Sequence, residues 1–153
     1  AHVVGLGLGL VASVVLGVVL GVDPDTPGVV ARSHLTLGDV ALGLAAGVAG
    51  ALSFTRGISS AVVGVMVAVA LLPPLVAGGM MLGIGAYEVA RGGLLLAATN
   101  FIAINLAGVV TFAAQGIRPH RWWEAEEARR STRWALGIWT ALLALLVAAI
   151  LWT

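Results

Sequence analysis

Five long apolar segments alternate with short polar breaks along this chain. The first covers residues 1–22 and ends at the turn-rich run Asp23, Pro24, Asp25, Thr26, Pro27, Gly28. The second spans 37–55 and closes at Arg56-Gly57. The third stays apolar from Ile58 to Tyr87. About 20 residues suffice to cross a bilayer, so such a run is too long for one plain helix. Pro73-Pro74 and Gly78-Gly79 offer the break, and residues 75–87 are read as the far part of a broken helix or as a re-entrant piece. The fourth segment, 92–115, would be roughly 36 Å long as a helix. The fifth, 134–152, is rich in Leu and Ala, with Thr140 its one interior polar residue. Membrane strands would need short alternating segments, so the pattern predicts an all-α, polytopic helical bundle of about five spans.

Within these segments small residues recur every fourth position, which places them on one helix face. Gly5, Gly9, Ser13, Gly17 and Gly21 form such a ridge in the first segment. Gly43, Gly47 and Ala51 form one in the second, and Ser60, Gly64 and Ala68 one in the third. Lipid supplies no hydrophobic drive between helices, so close backbone contact along small-residue ridges takes its place. The ridges are read as packing faces, within one subunit or between subunits.

Polar interruptions are few. Pro73 and Pro74 remove two backbone donors and obstruct the carbonyls before them. Carbonyls freed at membrane depth need protein or cavity water, and broken helices of this type build midplane sites in transporters. In the fourth segment Thr99, Ala103, Ala107 and Thr111 share a face, with Asn100 beside it. Asn105 is rotated from Asn100 by about 140°. Both amides are expected to point into the bundle. The plain reading is interhelical hydrogen bonding; the sharper one has Asn100 complete a polar pocket opposite the carbonyls near Pro73. Asp39 follows Thr36 by three residues, the spacing of a capping box, and a cation or proton site is the competing role.

Composition strengthens the membrane reading. Of 153 residues, 60% are hydrophobic and 10% charged, against about 25% charged in soluble domains. Mean hydropathy is +1.08. All eight basic residues are Arg, and the net charge of +1 gives no basic face for nucleic acid. If all five segments cross, Arg56, Arg118, Arg121, Arg129, Arg130 and Arg133 fall on one side. Arg32 and Arg91 fall on the other, with Asp23, Asp25 and Glu88. Six against two places the first set in the cytoplasm of a cell that carries the chain in its plasma or inner membrane. Residues 116–133 are the one strongly polar stretch. They read as a cytoplasmic connector at the headgroups, with Trp122, Trp123 and Trp134 as anchors and Glu126 spaced to pair with Arg129 or Arg130, which favours a short surface helix. A docking surface for a soluble partner is the alternative use. The domain reading is therefore a bundle of four spans over 1–115, the connector over 116–133 and a final span over 134–153. Ala1 lies inside an apolar segment, with no initiator Met and no basic leader of a signal peptide, which reads as a fragment or a trimmed product.

Enzyme signatures are missing: no HExxH, no GxSxG and no paired carboxylates on one face. His2, His34 and His120 are scattered and cysteine is absent, so no metal site, cofactor or catalytic set is expected.

The order of motifs resembles a known family. The entry at 32–39, DVALGLAAGVAGAL at 39–52, TRGISSAVVGVMVAVALLPPLVAGG at 55–79, LLLAATNFIAINLAGVVTF at 94–112 and GIRP at 116–119 follow in sequence. Together they resemble the uncharacterised hydrophobic membrane proteins grouped as domain of unknown function 389. The resemblance implies a prokaryotic polytopic membrane protein without a settled activity. It marks Arg32, Asp39, Arg56, Gly57, Ser59, Pro73, Pro74, Thr99 and Asn100 as positions to watch. The functional expectation is a channel or secondary transporter for a small solute or ion, assembled as a homo-oligomer. Its pathway is expected at Asp39, Pro73, Pro74, Thr99, Asn100 and Asn105. The alternative is a non-transporting scaffold or anchor for a soluble domain.

Overall fold

Every apolar segment becomes a helix, and no strand occurs among the described residues. The structure is a computed structural model that describes the backbone of residues 2–116 and 122–152 and the side chains of 4–116 and 130–148. The helices are α1 (His2–Leu20), the short α2 (Pro27–Val30), α3 (Leu37–Thr55), α4 (Ser60–Gly83), α5 (Tyr87–Ala114) and α6 (Trp122–Trp152). Four stretches are long and apolar enough to cross a membrane: Leu37–Thr55, Ser60–Gly83, Tyr87–Ala114 and Arg130–Ala148. Val4–Leu20 of α1 is a shorter apolar helix.

Two boundaries differ from the sequence expectation for physical reasons. The third segment does not stop at Pro73-Pro74: α4 is one helix of 24 residues with both prolines inside it. Proline's fixed φ suits a helix, and its cost lies in the lost donor and the crowding of the preceding carbonyl. The expected break is therefore a gap in hydrogen bonding, not an interruption of the helix. The excess length goes into a turn, where Gly85 takes φ 78° and the Ala86 amide reaches Met81 O at 2.9 Å. Residues 75–87 thus form no re-entrant piece, and α5 starts at Tyr87, with Glu88 in its first turn. The second difference is at the C-terminal end, where α6 begins at Trp122 and runs 31 residues without a stop. The latter part of the 116–133 connector is thus continuous with the final span. Arg118, His120 and Arg121 lie outside the described residues, as do the side chains of Trp122, Trp123, Glu126 and Arg129.

Small residues line the helix contacts, a few large ones (Leu71, Met81, Leu96, Ile102 and Leu106) fill the space between them, and many large apolar side chains face outward. Gly43, Gly47, Gly50, Gly78, Gly79 and Gly93 are buried, as are Ala90, Ala97, Ala103 and Ala107. Val4, Leu8, Val11, Leu42, Val65, Val69 and Leu145 are exposed. Lipid is the solvent that makes this arrangement favourable.

Close approaches fix the helix directions. Gly9 lies near Leu72 and Leu75, Ser13 against Gly79, and Gly17 against Met80 and Gly83, so α1 runs parallel to α4. A Cβ at Gly43 would lie 2.9 Å from Ala103 Cβ, and one at Gly47 2.6 Å from the Ile104 carbonyl oxygen. These pairs, with Gln115 Nε2 donating to Thr55 Oγ1 at 3.1 Å, make α3 parallel to α5. Between them α4 and α5 form an antiparallel hairpin crossing at Gly78 and Gly93, where a Cβ at Gly93 would lie 2.9 Å from Gly78 N. On its other side α5 carries α6, with Phe101 and Trp139 edge to face at 5.7 Å. A Cβ at the ridge members Gly5, Gly21 and Gly64 would meet nothing within 4 Å among the described residues. At the Ser33 end of the bundle α2 closes the hairpin, as Val29 packs with Met81 and Ala90.

Candidate functional site

Counting donors along α4 leads to the site. A helical carbonyl accepts from the amide four residues on, or three in a tighter turn. For Ala70 those positions are Pro74 and Pro73, and neither carries an N–H. Its carbonyl is therefore left without a normal helical donor. Asn100 on α5 fills the gap: its Nδ2 donates to Ala70 O at 3.0 Å. A side chain thirty residues away in sequence stands in for the donors that the prolines lack.

The other end of that amide is open. Asn100 Oδ1 is buried and has no hydrogen-bond partner among the described residues, and the same holds for the adjacent Thr99 Oγ1. Thr99 is 0% exposed. Gly43 of α3 provides the room, since a Cβ there would lie 3.3 Å from Asn100 Oδ1. Two buried oxygens in an apolar bundle thus retain unused hydrogen-bonding capacity at the meeting of α3, α4 and α5. Such groups normally find partners, and those that lack one point to a role or a missing guest. A group offering O–H or N–H donors would complete Asn100 Oδ1, and the hydroxyl can donate or accept.

Asp39 sits one turn from Gly43 on the same face of α3, about 6 Å along the axis. Its carboxylate is committed to the helix start. Thr36 N donates to Asp39 Oδ2 at 2.8 Å, Thr36 Oγ1 donates to it at 2.7 Å, and Asp39 N donates to Thr36 Oγ1 at 3.4 Å. Both halves of the capping box are present. Asp39→Ala is accordingly expected to cost about 1 kcal/mol in a detergent unfolding titration. Asp39→Glu, which supplies the usual carboxylate of the box, should be nearly neutral.

Not every expected pathway residue joins this cluster. Asn105 donates from Nδ2 to Phe101 O at 2.7 Å. It follows Phe101 by one turn, on the side of α5 that faces α6. Pro73 is half-buried and Pro74 buried, and the Pro74 carbonyl approaches Gly93. The four-residue stripe Thr99, Ala103, Ala107 and Thr111 is buried throughout, and Thr111 Oγ1 donates to Ala107 O at 2.7 Å. Ala70 was missed in the sequence reading, although its place three and four residues before two prolines marks its carbonyl as orphaned.

Comparison with known proteins adds kinship without an activity. The family model described as "Domain of unknown function (DUF389)" matches residues 1–106. An uncharacterized protein of Methanocaldococcus jannaschii is 43% identical over 133 residues, which is 87% of this chain and 42% of that protein. The chain thus spans about two fifths of the length of that relative. No solved structure matches.

Proposed function

Because this chain belongs to the DUF389 family, which carries no assigned activity, we propose its function from the bundle interior. It is a channel or secondary transporter for a small polar solute or ion, and the Asn100 cluster is its binding step. One observation carries the reading: Asn100 Oδ1 and Thr99 Oγ1 are buried without partners beside a helix that lacks two backbone donors. A solute with donor groups would satisfy the amide oxygen, and the Ala70 carbonyl would become available whenever Asn100 turned away. The cluster is closed in this conformation, so access requires α4 to move against α5. The double proline supplies the weak point, since its turn has fewer hydrogen bonds to break. Asp39 lies one turn toward the α2 end and adds negative charge near the entrance.

The same proposal places the chain as a multi-pass protein of the plasma or inner membrane, with residues 116–133 on the cytoplasmic side by the arginine count. A homo-oligomer would cover Gly5 and Gly64, where a Cβ would meet nothing within 4 Å among the described residues. A second reading, a membrane scaffold serving a soluble partner at 116–133, draws on the tight glycine contacts that seal the helices together.

Cysteine labelling separates the two readings, and the absence of native cysteine removes any background. Thr99→Cys is preferred to a change at Asn100, whose amide Ala70 needs. In liposomes, a membrane-impermeant thiol reagent is expected to label position 99 slowly and to leave the lipid-facing control Leu145→Cys unlabelled. Silence at both positions would remove the support for transport and favour the scaffold.

A further inference from the structure

Away from the Asn100 cluster, a groove of about 430 Å³ runs between α2 and α4. Its walls are apolar, with Gly28, Leu72, Pro73, Ala77 and Met80 among them, and Arg32 is the one charged residue that lines it among the described residues. From Met80 to Leu72 the α4 wall descends about 12 Å toward the hydrocarbon. Arg32 stands at the opposite, polar end, on the segment that follows α2. Its Nη1 donates to Gly28 O at 2.6 Å, which fixes the guanidinium at the rim. A guanidinium has five N–H donors, and among the described residues that bond is the one the Arg32 guanidinium makes, while its backbone N–H donates to Val29 O at 2.9 Å. The same end carries Asp23, Asp25, Asp39 and Glu88, yet among the described residues none of them pairs with Arg32: Asp39 caps α3, and Asp23 Oδ1 accepts from Asp25 N at 2.9 Å.

We propose that this groove binds one anionic phospholipid, with the phosphate on Arg32 and an acyl chain laid along α4 from Met80 to Leu72. Charge complementarity and depth select this occupant. The cation lies where headgroups lie, and the apolar channel lies where acyl chains lie. Arg pairs with phosphate through two parallel N–H bonds, which holds the headgroup in one orientation. A zwitterionic headgroup would bring its own cation beside Arg32 and would bind more weakly. Gly28 and Ala77 matter because they leave the floor of the groove empty. The site lies on the α2 side of α4 and does not depend on the transport reading.

Native mass spectrometry of the detergent-solubilised protein tests this with phosphatidylglycerol and phosphatidylcholine of identical acyl chains. The wild type is expected to retain phosphatidylglycerol in preference to phosphatidylcholine. Arg32→Gln should lower phosphatidylglycerol retention about tenfold, the scale of one charge-assisted hydrogen bond, and Arg32→Lys should recover part of it. Ala77→Phe, which fills the groove and leaves the charge, should lower retention of both lipids. Glycerol 3-phosphate should not displace the lipid. Equal retention of the two lipids, full retention in Arg32→Gln or Ala77→Phe, or displacement by glycerol 3-phosphate would each overturn the proposal.

Discussion

Leucine in place of Gly47 is expected to prevent α3 from docking on α5. Even a single Cβ at this position would lie 2.6 Å from the Ile104 carbonyl oxygen, 2.8 Å from Ile104 Cα and 2.7 Å from Ala107 Cβ. Two of those three atoms belong to the backbone, so no rotamer change relieves the contact and the helices must separate. Alanine gains about 1 kcal/mol of helix propensity over glycine, while overpacking costs about 1–3 kcal/mol. Gly47→Ala should therefore lose up to about 2 kcal/mol net, and Gly47→Leu more than about 3 kcal/mol. Gly64 supplies the control, since a Cβ there meets nothing within 4 Å. Gly64→Ala should be neutral or slightly stabilising in the same unfolding titration of the detergent-solubilised protein. Equal losses at 47 and 64 would show that glycine acts here through backbone freedom and not through helix approach.

The second large effect belongs to Asn100. Membrane hydrogen bonds between side chains average about 0.6 kcal/mol, and by that measure Asn100→Leu would be mild. The average does not apply at this position. Most donors lost in a membrane leave an acceptor that has another partner, whereas Ala70 O has neither of its helical donors. The relevant cost is a buried acceptor left unsatisfied, about 1–3 kcal/mol. Asn100→Leu is expected near the upper end of that range, while Asn105→Leu, whose bond is to a carbonyl within its own helix, should cost under about 1 kcal/mol.

Much of the fold is legible in the sequence where the signal is local. The Thr36–Asp39 spacing gives the start of α3, and Arg56-Gly57 gives its end, because capping and positive-φ chemistry are decided within a few residues. Helix existence follows from apolar length alone. What depends on the crossing of distant helices is not legible. Gly47 and Gly64 look alike in the sequence, yet one faces α5 and the other meets nothing. Gly78-Gly79 reads as a breaker, but the pair lies in the interior of α4 and forms its contacts with α5 and α1. The prolines suggest an interrupted helix because the compensating donor comes from α5. The orphaned carbonyl at Ala70 can be counted from the sequence. Its partner cannot, since the rotation of α5 about its axis is fixed by the Gly78–Gly93 contact. A short helix within 116–133 is legible in the spacing of Glu126 to Arg129 and Arg130, but its continuation into the final span as one helix from Trp122 is not.

Asn100 and the double proline act as one unit in this bundle, and a double-mutant cycle isolates their coupling. Unfolding free energies would be measured in detergent for the wild type, Pro74→Ala, Asn100→Leu and the double variant. Alanine at 74 returns an N–H four residues after Ala70, so the Asn100 donor loses its task. The account predicts that Asn100→Leu costs at least about 1 kcal/mol less in the Pro74→Ala background than in the wild type. Additive losses within about 0.5 kcal/mol would contradict it, because Asn100 would then contribute nothing that depends on the missing proline donor.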